Sequence, residues 1–272
     1  MVKASILNRS IGTNRMRSLL CLGIWLFVAL PALPQAAQWL YSATGGSPAS
    51  IQGEVDRFRR DLGDLNANES RSFPAGRREI NWDAVGGTLG NDNLPGDFFH
   101  KTSPRGLLMS TPGLRLKVSG DQASPSFLMK DVTRDEWGLI EFGPFSNEKV
   151  FAPIGSTITD IEFRLPGTDD VACVRAFGAV FLDVDRGGQS SLEFLLNDGT
   201  VRKFIAQIQP VRSKGMSFVG GRFVDACIVN VRIHNGSHPI DTLDIPTPLP
   251  DGVGLDDFVY SEPIAIPRRV EY

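Results

Sequence analysis

From about residue 76 onward, apolar residues fall on every second position in short runs, and glycine or proline closes most of these runs. Ile80 and Trp82 alternate with Glu79, Asn81 and Asp83, while Leu114, Leu116 and Val118 alternate with Arg115 and Lys117. Ile161, Phe163 and Leu165 alternate with Asp160, Glu162 and Arg164; Leu192, Phe194 and Leu196 repeat the pattern, as do Cys227, Val229, Val231 and Ile233. A period of two puts successive side chains on opposite faces, so each run reads as a strand with one face buried. Val171 to Val184 is apolar on both parities, which fits a central strand covered on both sides or bent at Gly178. Asn197-Asp198-Gly199, between two strand patterns, is the strongest hairpin signal. Many short strands, frequent turn residues and one helical pattern predict an all-β chain folded as an antiparallel β-sandwich.

The helical pattern comes first. Ile51, Val55, Phe58, Leu62 and Leu65 recur at spacings of three and four. Ser47 suits the cap, Pro48 the first helical position and Gly63 the exit. This short amphipathic helix is expected to pack on the sandwich, with a partner-binding helix as the sharper alternative. The domain plan is a linker and helix over 38–75, the sandwich over 76–263 and a C-terminal tail over 264–272. Four prolines between Pro239 and Asp251 read as a surface loop before a last strand, Leu255 to Tyr260. The tail carries no apolar run that would anchor it.

Residues 1–37 are different in kind. They hold Lys3, Arg9, Arg15 and Arg17 and no acid, followed by the apolar run Leu19 to Leu30, which Pro31 and Pro34 close. A basic start, about a dozen apolar residues and a small-residue exit at Ala36-Ala37 describe a secretory signal peptide. A spanning helix needs ~20 apolar residues. Translation starting at Met16 would give a more compact signal, and a buried N-terminal helix or an uncleaved anchor are the alternatives. Cleavage after Ala37 removes four basic residues, taking the formal net charge from −3 to −7. So acidic a chain is not expected to bind nucleic acid or an anionic membrane. The composition, 42% hydrophobic and 22% charged, excludes disorder, collagen and coiled coil as the main architecture. The expected location is secreted or periplasmic, with no membrane attachment after cleavage.

Export bears on the cysteines. Cys21 leaves with the signal, so Cys173 and Cys227 are the two that remain. An even count outside the cytoplasm favours a Cys173–Cys227 bridge. Both lie on apolar parities of strand patterns, and buried free thiols are the alternative.

Several stretches resemble a family of secreted bacterial proteins with a jelly-roll-like β-sandwich. They are Gly76 to Asp83 (GRREINWD), Leu94 to Phe99 (LPGDFF), Ser103-Pro104-Arg105-Gly106, Phe151 to Gly155, Phe177 to Asp185 (FGAVFLDVD) and Leu255 to Tyr260 (LDDFVY). The resemblance spans most of Phe58 to Pro263 and implies the fold and export, but no activity. The last strand is similar, more weakly, to the closing strand of carbohydrate-binding jelly rolls, in which an aspartate helps to hold a structural calcium. That similarity makes Asp256 the preferred calcium ligand, with Glu79 and Asp83 as partners. Adjacent strand residues face opposite ways, so one of Asp256 and Asp257 must lie near a core edge, where it needs a cation or hydrogen-bond donors.

Catalytic motifs are weak. Gly215 to Gly220 misses a nucleophile elbow by one residue, and His100, His234 and His238 form no zinc pattern. Two suitably spaced carboxylates would make a glycosidase, but spacing alone nominates no pair among 31 acids. For glycan binding, Trp82 reads as core and Trp137, beside Asp135-Glu136 and Gly138, as the exposed candidate platform. The functional expectation is therefore a secreted, non-enzymatic binding or structural module at the envelope or outside the cell, with a glycan as candidate partner. The alternative is a glycan-acting hydrolase using a carboxylate pair.

Overall fold

In a computed structural model of the chain, the described residues are 38–86, 93–119, 142–146, 149–208, 215–240 and 251–267. The expected signal peptide and Trp137 lie outside them. The strands are β1 (Gln38–Gly45), β2 (Arg77–Ile80), β3 (Leu107–Ser110), β4 (Arg115–Val118), β5 (Phe151–Ile154), β6 (Ile158–Arg164) and β7 (Val171–Cys173). They continue as β8 (Ala176–Leu182), β9 (Ser191–Leu196), β10 (Val201–Ile205), β11 (Met216–Phe223), β12 (Ile228–His234), β13 (Gly254–Ser261) and β14 (Ile264–Ala265). One α-helix, α1, spans Pro48–Leu62, and a π-helical turn spans Phe98–Thr102.

The strands form two antiparallel sheets. The first runs β1-β11-β8-β13-β5-β4, with β2 paired to the far end of β13. The second runs β10-β9-β12-β6-β7-β14, with β3 paired to β6. Their facing sides share one core that includes Ile161, Phe163, Phe177, Phe194, Val231, Phe258 and Tyr260. This is the antiparallel β-sandwich that the alternation predicts.

The first sheet is covered on its outer face as well. Ile51, Val55 and Phe58 of α1 join Tyr41, Val180, Phe218 and Val259 in a second apolar layer. Hence β8 is buried on both parities: Phe177, Ala179 and Phe181 face the second sheet, and Ala176, Val180 and Leu182 the helix side. Gly178 does not serve as a bend. It pairs with Gly220 of β11, and a Cβ on either would come within about 3.0–3.2 Å of the Phe58 ring. The two glycines make a flat seat for that ring. The helix ends as its sequence directs: Gly63 takes φ 94° and donates its N–H to the Arg60 carbonyl at 3.1 Å.

Four local expectations change. The stretch expected as linker opens with β1, an edge strand paired along its whole length with β11. The tail contributes β14, paired with β7. Leu114, expected to point inward with Leu116 and Val118, is 77% exposed, because the ladder begins at Arg115. Trp82 is core as expected, but not in a strand: β2 stops at Ile80, and Trp82 takes φ 66°, where its ring lies parallel to Phe151 at 4.4 Å. A left-handed non-glycine residue costs roughly 1–3 kcal/mol. Edge contacts to Phe258 at 5.0 Å and Phe99 at 5.6 Å help to hold it there.

Cys173 and Cys227 form a disulfide, Cα to Cα 5.7 Å, both fully buried. The next residues, Val174 and Ile228, exchange backbone hydrogen bonds of 3.0 and 2.7 Å, which ties β7 to the entry of β12. Among the described residues no helix is long and apolar enough to cross a membrane.

Candidate ligand-binding groove

Burying Phe58 under the helix turns its neighbour, Arg59, toward the junction of β2 and β13. There the Arg59 Nη2 donates to Glu79 Oε2 at 2.9 Å and to Asp257 Oδ2 at 2.8 Å. Glu79 Oε1 also accepts from Arg77 Nε at 2.6 Å. Burial works against the Arg59 charge, but Glu79 and Asp257 outweigh it and hold the guanidinium above its ordinary value. Asp257 is raised as well, for a different reason: burial pushes its carboxyl up, opposed by Arg59.

Asp256 has a different task. It is fully buried and accepts from the backbone N–H of Phe145 at 2.7 Å, of Ser146 at 3.1 Å and of Asp257 at 2.9 Å, and from the Ser146 hydroxyl at 3.0 Å. It therefore clamps the segment 142–146 over the end of the sheet. A bulge in the β13–β8 ladder between Asp256 and Phe258, together with cover on both faces, leaves both adjacent aspartates buried.

These contacts frame a groove of about 390 Å³ between α1, β2, the 65–68 segment and the 142–146 turn. Its walls carry the half-buried ring of Phe145, the amides of Gln52, Asn68 and Asn81, the Arg59–Glu79–Asp257 cluster and Arg105. A second hollow of about 400 Å³ opens on the other side of Arg59, toward Asp64 and Arg77. Gln52 is steadied by a bond from its Nε2 to Asp56 at 2.8 Å.

The expected calcium ligands are not brought together. Asp256 is saturated by amides and a hydroxyl, Glu79 by two arginines, and Asp83 accepts from Lys149 N and Asn81 Nδ2, both at 3.1 Å. Among the described residues no group of three or more acids, histidines and cysteines is placed to hold a metal ion. Of the described tryptophans and tyrosines, Tyr41, Tyr260 and Trp82 are core, whereas Trp39 is 46% exposed on edge strand β1 beneath Arg222, away from the groove. Sequence spacing missed Arg59, which reads as the solvent face of a helix, and Phe145, which reads as core. The signal for Arg105 was present in Ser103-Pro104-Arg105-Gly106, a motif that carried no assignable role.

No family model, curated protein or solved structure matches the chain.

A pH effect follows from Asp256. Burial, then the charge of Asp257, pushes its carboxyl well above the ordinary value of about 4, against the pull of its amide donors. The folded chain then keeps a proton that the unfolded chain has released. This group's contribution to stability is fully present at acid pH and is lost as pH rises above about 4. Wild type should therefore lose ground to Asp256→Asn as pH rises, read as urea midpoints at about pH 4.5 and 7.5. An offset between the two that is the same at both pH values would contradict this.

Proposed function

We propose that this chain is an exported, non-enzymatic binding module of the envelope or extracellular space, and that the groove beside Arg59 takes a glycan. The observation that carries this reading is the groove's composition. One half-buried aromatic ring, Phe145, lies among side-chain amides that can pair with sugar hydroxyls. The charged groups Arg59, Glu79 and Asp257 are bonded to one another, so the walls are fixed before a ligand arrives. Export is supported by the buried disulfide, which belongs to oxidising compartments, and by the basic, then apolar, N-terminal segment. Intact mass of exported material tests the second point: a chain starting near Gln38 is expected, and retention of Met1 or Met16 would refute it. A glycan-array screen of that mature protein, with and without chelator, tests the first and asks at the same time whether calcium contributes.

The hydrolase alternative has one specific support: Glu79 and Asp257 line the same groove, and burial raises Asp257 as a general acid requires. Arg59 stands between the two carboxylates, however, bonded to both. Incubation with each array-positive oligosaccharide separates the readings. A binding module releases no new reducing ends, whereas a hydrolase releases them and loses that activity in Asp257→Asn.

A further inference from the structure

We infer that the groove recognises a carboxylate, borne by an acidic sugar such as a uronic acid, and that Arg105 is the residue that reads it; this rests on the glycan reading above. Arg105 lines the groove yet is only 8% exposed. Among the described residues it has no acidic partner. Its Nη1 donates to the Ser103 hydroxyl, its Nε is buried with no acceptor, and its guanidinium lies 5.3 Å over the Phe99 ring. Burial works against its charge, and the nearby Arg78 guanidinium repels it further. The nearest acids of the groove, Glu79 and Asp257, are taken by Arg59 and Arg77.

Arg78, the other buried arginine beside it, is still more deeply buried, but Glu262 binds it through two oxygens. A buried guanidinium without a counter-charge costs folding free energy, so a structural role alone does not account for one. The backbone around Arg105 is pinned from three directions. Its N–H donates to the Phe99 carbonyl at 2.8 Å, and its carbonyl accepts from Tyr260 Oη at 3.1 Å. The following Gly106 takes φ 72° with the Arg164 carbonyl against it, where a Cβ would clash. The charge is thus held in position with its Nε unpaired and its Nη1 bound only to a neutral hydroxyl, and a carboxylate is the anion that fits such a fork through two parallel bonds. Phe145 and the neighbouring amides supply the sugar part of the site.

The test compares wild type, Arg105→Gln and Arg105→Lys on an array of neutral, sulfated and uronic-acid glycans, with poly-glutamate as a peptide control. Hits confined to uronic-acid glycans are expected. They should weaken at least tenfold in Arg105→Gln and also in Arg105→Lys, which keeps the charge but loses the fork. The melting temperature of Arg105→Gln should be equal to or above that of wild type, since an uncompensated buried charge has gone. A structural arginine would instead lower it. Hits on neutral or sulfated glycans that survive in Arg105→Gln would overturn this inference and leave the glycan reading standing. Binding of poly-glutamate as tight as of any glycan would overturn both, as would an array with no hits. A lowered melting temperature with unchanged binding would return Arg105 to a structural role.

Discussion

Glu262→Gln is expected to cost about 3–5 kcal/mol, because it leaves Arg78 buried without its counter-charge. Arg78 has no exposed surface. Its Nε and Nη2 reach the two oxygens of Glu262 at 2.6 and 2.9 Å, and its remaining donors go to the carbonyls of Ala67 and Arg71. Glu262 also accepts from Phe73 N at 3.1 Å and from Asn66 Nδ2 at 2.8 Å. One carboxylate thus ties the segment after α1 to the end of β13. For a domain of this size the loss should lower the melting temperature by roughly 10 °C. Replacing both partners by apolar residues, Arg78→Met with Glu262→Leu, should recover most of it, since removing a buried pair costs far less than splitting it. A Glu262→Gln variant within about 1 kcal/mol of wild type would show that the pair is relaxed by water or by neighbouring groups.

Loss of the Cys173–Cys227 bridge should be of similar size. The bridge closes a separation of 54 residues. On chain-entropy grounds that stabilises by about 4 kcal/mol, between the values for shorter and longer loops. Both sulfurs are buried and backbone bonds flank the bridge, so the native sheet should survive reduction and the unfolded chain should gain the freedom. Unfolding the oxidised protein and a Cys173→Ala, Cys227→Ala variant in urea measures the difference. Coincident midpoints, or two free thiols titrated in the denatured, unreduced mature protein, would mean that the bridge is not closed in the material studied.

Much of the sandwich was legible because burial on one face writes itself as alternation. β6 and β9 show it directly, whereas β12 follows it only from Val231 onward, because a bulge between Ile228 and Asn230 buries Ile228 and leaves Val229, expected inward, half-buried; the two-parity run of β8 signalled cover on both sides. β1 escaped because only Tyr41 and Gly45 of its eight residues are buried, so no alternation develops. Trp82 continued the parity of Ile80 in sequence although the chain leaves the strand between them; packing with three phenylalanines outweighs local preference there. The groove was not legible at all as a unit. Gln52, Arg59, Glu79, Arg105, Phe145 and Asp257 come from separate segments that only the tertiary fold brings together. Asp256 was singled out for a sound reason, a carboxylate at a buried strand position, and the two remedies foreseen were a cation or hydrogen-bond donors. The structure supplies donors, from a turn whose position the strand pattern could not reveal.

A ligand that enters the groove must pass its rim. Asn68 lies exposed on its rim, and Asn68→Trp should fill the opening without touching the buried clusters. Calorimetric titration of wild type and Asn68→Trp with the strongest array-positive oligosaccharide tests directly whether the groove is the ligand site. The predicted result is affinity at least tenfold weaker in the variant at an unchanged melting temperature. Equal affinities in the two proteins would place the ligand elsewhere on the molecule and contradict the account.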